Sequence, residues 1–240
     1  MLSAYASDPQ ARNKASERFG GSEGLLRIAA KAIEPSETGD TGAGPRTAAD
    51  HEAWTLIRFA ESEGLMLDVV TIRNLFERNK LRGGSEHRVA LLREHQRVIK
   101  DLNVRLTATE TLFDYLTDLL LANHLFGDAN HLEGFFVDAR NLHIITSQPF
   151  VEGTHPDWET LKAGLAARGL RHEAPLSKIP NFVLSTKEVG DIHVFDLHED
   201  NVIHGGASDR MEPIDAHFYF DSVSDRIAAL QALGLWEAGD

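Results

Sequence analysis

Residues 107–126 read TATETLFDYLTDLLLANHLF, and the chain on both sides of them has a different periodicity. Leu112, Tyr115, Leu116, Leu119 and Leu120 recur at helical spacing, so the stretch is the strongest helix in the sequence, with Thr107 or Thr109 as its cap. Before it, LRGGSEHRVALLREHQRVIKDL holds two short apolar runs around REHQ, a hairpin entered through a Gly-Gly turn. After it, LEGFFVD and LHIITSQPFVEG make a second strand pair turned at ARN. The order here is hairpin, helix, hairpin.

The flanking regions are read the same way. SERFGGSEGLLRIAAKAIE (16–34) offers a turn and an amphipathic helix, and PSETGDTGAGPRTA (35–48) has a linker's composition and no apolar period. ADHEAWTLIRFAESEGL (49–65) is helical, with Trp54, Ile57 and Ala60 on one side and Gly64 to end it; 68–80 is a second helix. HPDWETLKAGLAARGL (155–170) is a helix that stops at Gly169. Short strands with Gly-containing turns follow, and SDRIAALQALGLW closes the chain as a helix. The expected organisation is a helix and linker over 1–48, a helical extension over 49–80, a sheet lobe over 81–153 and a second lobe over 154–240.

Net charge is −13 and no Lys/Arg block occurs, so neither nucleic acid nor an anionic membrane is an expected partner. The absence of cysteine excludes disulfides, thiolate metal sites and a Cys nucleophile. No secretory h-region opens the sequence and no run of about 18 apolar residues follows. A soluble cytoplasmic protein is expected.

Four places carry residue types suited to phosphate chemistry. Lys100 ends the run Arg97–Lys100 after two β-branched residues, and Gly83 and Gly84 feed the same hairpin. Glycines let backbone approach phosphate, and a strand lysine can neutralise it; a strand-end lysine is also an ordinary solvated side chain. The strand ITSQPFVEG breaks at Gln148-Pro149, which is either a plain strand end or a hinge whose backbone could hold an adenine edge. In FDLHEDN, Asp196 and Asn201 stand at D-x₄-N spacing: the carboxylate could orient or deprotonate a hydroxyl, and the amide oxygen could ligate Mg²⁺. Asp215 sits in an apolar run, where an acid is costly unless it holds a metal or a partner.

In this order the features resemble a protein kinase, and more closely the compact kinase-like domains found in polyvalent proteins of phages and conjugative elements. The resemblance rests on LLLANHLFGDANHLEGF, ITSQPFVEG, DLHEDN and EPIDAHF, and covers about residues 81–220. It implies an α+β, minimal two-lobed protein-kinase-like fold with a truncated C-terminal lobe and a helical N-terminal extension. It also implies ATP and Mg²⁺ as cofactors and a hydroxyl acceptor, on a protein or a small molecule. Lys100 would meet the α- and β-phosphates beneath Gly83 and Gly84, paired with an acid of the 107–126 helix. Asp118 or Asp114 is preferred for that pairing over Glu110, which suits a helix start. Gln148 and Phe150 would face the adenine, Asp196 would be the catalytic base, and Asn201 and Asp215 would ligate Mg²⁺.

The sequence departs from the kinase pattern in several places. GGSEH replaces G-x-G-x-x-G, Val194 and Phe195 replace the residues before the catalytic Asp, and IDAHF replaces D-F-G. Nothing matches A-P-E, and 25 residues follow Asp215. Two other readings stand beside it: a nucleotide-binding module without turnover, and a metal-dependent enzyme using His193, His198, His204 and His217 with the neighbouring acids.

Overall fold

The computed structural model describes residues 9–18, 21–35, 45–81, 87–105, 111–173, 181–206 and 209–237. It is a mixture of helices and antiparallel sheets, as the α+β reading requires. The chain divides into two compact units, Met1–Leu120 with Ala129–Phe150, and Leu121–Asp128 with Val151–Asp240.

The first unit is built on a four-stranded sheet of β1 (His87–Leu92), β2 (Arg97–Asn103), β3 (His131–Asp138) and β4 (Asn141–Pro149), in the order β1-β2-β4-β3. Both expected hairpins form. The β3–β4 turn is Ala139-Arg140, both at positive φ (48° and 70°), the handedness that suits the strands' twist. Helices α1 (Pro9–Arg18), α2 (Ser22–Ala32), α3 (Pro45–Ser62) and α4 (Val69–Asn79) precede the sheet. α4 starts where the Asp68 carboxylate accepts the Thr71 N–H at 2.8 Å. It buries Ile72, Leu75 and Phe76 against Ala90, Ile99, Phe136 and Ile145. Each such side chain contributes about 1.5–3 kcal/mol on leaving water, so this layer fixes the sheet's register.

α5 (Leu112–Phe126) starts at Thr111, not at Thr107 or Thr109, which lie outside the described residues. The Thr111 hydroxyl accepts the Asp114 N–H, a side-chain cap, and donates to the Asp114 carboxylate. A second free N–H of that helix end, on Leu112, donates to Glu52 of α3 at 3.0 Å.

The second unit holds β5 (Gly153–Thr154), β9 (Val202–Gly205) and β10 (Met211–Pro213) in one sheet. A second sheet runs in the order β11-β8-β7-β6, made of β6 (Leu170–Glu173), β7 (Asn181–Thr186), β8 (Gly190–Phe195) and β11 (His217–Tyr219). α6 (Trp158–Ala167), capped by Asp157 on the Thr160 N–H, and α7 (Val223–Ala232), capped by Ser222, complete it.

Several boundaries differ from expectation. α3 begins at Pro45, inside the stretch that composition reads as linker. Leu170 opens a strand instead of ending a helix, because Gly169 takes φ 87° and turns the chain into β6. Lys100 lies mid-strand in β2, not at its end. Asp215 lies in the bend between β10 and β11, not in a strand.

Candidate functional site

In the first unit the register decides what surrounds Lys100. Residues directly paired on neighbouring strands project to the same face. Lys100 pairs with Val89 on one side and Thr146 on the other, and Thr146 pairs with Leu132. The Tyr115 and Thr146 hydroxyls are 3.3 Å apart, so α5 covers that face. Lys100 is therefore a buried lysine, 9% exposed, on the face that α5 lies over. Asp118, 4% exposed, lies one turn after Tyr115 on the same side of α5. Asp114 exchanges hydrogen bonds with the Thr111 hydroxyl at the start of α5, whereas Asp118 is buried.

Gln148 pairs with Val98 in β4 and, by alternation from Thr146, shares the Lys100 face, where it is buried. Phe150 is half-exposed just past the strand, and its N–H donates to the Gln96 carbonyl at 2.8 Å. That N–H is committed to the β1–β2 turn, so an adenine edge would have to use the Phe150 carbonyl or ring. Gly83, Gly84 and Glu110 lie outside the described residues.

The opposite face of the same sheet holds polar networks that sequence reasoning missed. Arg97 donates through Nε to the Ser147 hydroxyl at 3.0 Å, and through Nη2 to the carbonyls of both Ser147 and Ala129 at 2.8 Å. The Ser147 hydroxyl donates in turn to Glu133 at 2.7 Å. Burial is what lowers the Arg97 pKa, with Glu133 opposing it. Asp101, 1% exposed, accepts from His143 Nδ1 at 2.7 Å and from Arg88. The only sequence signal for either network was the presence of charged residues inside apolar strands.

In the second unit Asp196 directly follows β8 and takes φ 63°, the left-handed region that Asp and Asn enter more readily than other side chains. Asn201 holds it there: its Nδ2 donates to the Asp196 carboxylate at 2.8 Å and to the Asp196 carbonyl at 3.0 Å. Both acceptors are oxygens, so the amide orientation is determined, and Oδ1 is left facing elsewhere as an acceptor. The Ile214 N–H donates to the Asn201 carbonyl at 2.9 Å, which ties the residue before Asp215 to the Asn201 loop. Because His217 pairs with Phe195, Asp196 and Asp215 leave the β8–β11 ladder at the same end. Asp196, Asn201 and Asp215 are thereby carried by adjoining loops, and carboxylate and amide oxygens are donor types that suit Mg²⁺.

His155 braces this cluster. Its Nδ1–H donates to the carbonyls of Glu199 (2.9 Å) and Val202 (3.2 Å), at the two ends of the turn that carries Asn201. His198 Nδ1 accepts the Asp200 N–H, which puts the ring proton on Nε2, 3.5 Å from the Asp196 carboxylate. The other histidines are engaged separately: His193 with Asn181 and the Phe195 ring, and His204 with Asp209. Among the described residues no group of three His, Asp or Glu side chains converges as a metal cage.

A buried lysine on the sheet face that α5 covers, an Asp-x₄-Asn loop and a following Asp are residue types that a kinase-like phosphotransferase uses. The family of serine/threonine/tyrosine kinases found in polyvalent proteins matches residues 49–222, well over half the chain, and the chain belongs to that family. No curated protein and no solved structure matches it.

Proposed function

We propose that the chain is an ATP- and Mg²⁺-dependent phosphotransferase that moves the γ-phosphoryl group to a hydroxyl acceptor. The observation that most supports this is the double hydrogen bond from Asn201 to Asp196, joined to the Asp215 bend through the Ile214 N–H. Lys100 neutralises the α- and β-phosphates and Asp118 orients it. Gly83 and Gly84, outside the described residues, are the glycines assigned to the phosphates, and Gln148 with the Phe150 carbonyl or ring borders the adenine. Asp196 orients the acceptor hydroxyl and takes its proton as that oxygen bonds to the γ-phosphorus and the bond to the β-phosphate oxygen breaks, releasing ADP. Asn201 Oδ1 and the Asp215 carboxylate are the groups that would hold Mg²⁺. Mg²⁺ bound there would offset charge on the phosphate oxygens. The remaining catalysis is positioning and preorganised charge.

The test is nucleotide turnover by the wild type and by Asp196→Asn. The variant keeps the shape of the loop and loses the base, so it should retain ATP affinity while turnover falls by at least about a hundredfold. Equal turnover in the two proteins would remove Asp196 from the base role. ATP binding by a wild type that turns nothing over would identify a nucleotide-binding module instead.

A further inference from the structure

Within the second unit, β8, β11 and α7 enclose a groove of about 780 Å³ whose lining has no part in the phosphoryl chemistry proposed above. Alternation along β8 and β11 sends Ile192, Val194 and Phe218 into the core and turns His193, Phe195 and Tyr219 toward the groove. Tyr219 is 54% exposed and meets Phe195 edge-on with ring centroids 5.9 Å apart, and His193, its cross-strand partner, stacks on Phe195 as well. Four carboxylates border these rings, those of Glu188, Asp191, Asp221 and Asp225, and no lysine or arginine lines the groove.

The carboxylates differ in how far they are already engaged. Asp191 accepts the Ser185 hydroxyl and lies 3.5 Å from Arg171, and Asp225 closes the cap of α7 with Ser222. Glu188 and Asp221 make no ion pair with any described residue, and both are exposed. The buried Arg226 lies against the Phe220 ring and donates to the Phe218 carbonyl, so its charge is turned into the protein.

Ring faces bordered by uncommitted carboxylates suit guanidinium and ammonium groups, which gain ion pairing and cation–π contact together. We propose that this groove docks a Lys/Arg-rich peptide segment of a partner protein. A second copy of this chain is a poor occupant, because the chain carries net charge −13 and has no basic block to insert. The same negative field draws a basic partner in from solution. The proposal does not depend on phosphoryl transfer, since none of the groove residues is assigned a role in it.

Fluorescence anisotropy with a labelled peptide of alternating Arg and Ser tests this on the full chain. Saturable binding is expected, weakening as ionic strength rises and by at least about tenfold in the double variant Glu188→Gln/Asp221→Asn. Tyr219→Ala should weaken it as well, and the matching Glu/Ser peptide should not bind. A charge-matched control, Glu77→Gln/Glu94→Gln in the first unit, should bind as the wild type does. No saturable binding, or an equal loss in the control, would overturn the proposal. Phosphotransferase activity without peptide binding would overturn the groove alone, and peptide binding without ATP binding would support the groove while removing the kinase reading.

Discussion

Asp196 is held in a left-handed conformation that most residues avoid, and the two hydrogen bonds from Asn201 are what hold it there. A carboxylate fixed this way has a defined direction, which the base role proposed for it requires. His131 is a residue with a pH signature. His131 opens β3, and burial, assisted by the neighbouring Arg97 charge, lowers its pKa below the ordinary histidine value. The unfolded chain therefore binds a proton at this site at higher pH than the folded chain does. Below about pH 6.5 protonation favours the unfolded state, so stability contributed by neutral His131 is present at higher pH and is lost as pH falls. The urea midpoint should drop between about pH 7 and about pH 5.5 by more in the wild type than in His131→Gln. Identical drops would contradict the sign argued here.

At the scale of elements, the bulge at Gly134 shows what a short motif can conceal. The β3–β4 register shifts between Leu132 and Gly134, and Phe135 then exchanges hydrogen bonds with the backbone of Leu65 and Leu67. Gly134 takes φ 146°, and a Cβ there would stand 2.5 Å from the Leu65 carbonyl and 2.9 Å from Leu67 Cγ. Gly134→Ala should destabilise the protein by about 2–4 kcal/mol in denaturant unfolding, from backbone strain and the clash together. Unchanged stability would mean that the Leu65–Leu67 pairing gives way easily.

In the sequence, LEGFFVD shows a strand plainly enough, and the hairpins and α5 follow from local period and turn residues. The partner of Gly134 lies far back in the chain, and no local pattern announces it. The run Arg97–Lys100 reads as ending a strand at Lys100, yet Asp101 is buried with His143 and Arg88 as partners and the strand continues. Asp215 looked like a strand residue because its neighbours are apolar, but the strand ends at Pro213. The Asp-x₄-Asn loop was legible because both partners are local. The Arg97–Ser147–Glu133 network was not, because it forms only when three strands are in register.

At the scale of the molecule, the family match begins at residue 49, yet α2 before it is not peripheral to its own unit. Leu25, Leu26, Ala29 and Ala30 are all fully buried, and α2 lies against β3 and α3. Among the described residues no helix is long and apolar enough to cross a membrane. The two compact units each carry part of the proposed chemistry: Lys100 and Asp118 in the first, Asp196, Asn201 and Asp215 in the second. The most direct test therefore uses one variant from each. ATP binding is measured by calorimetry with Mg²⁺ present, for the wild type, Lys100→Ala and Asp215→Asn. Saturable binding by the wild type that weakens at least about tenfold in both variants is the predicted result. No ATP binding by a folded wild type, or binding unaffected by either change, would contradict the kinase reading.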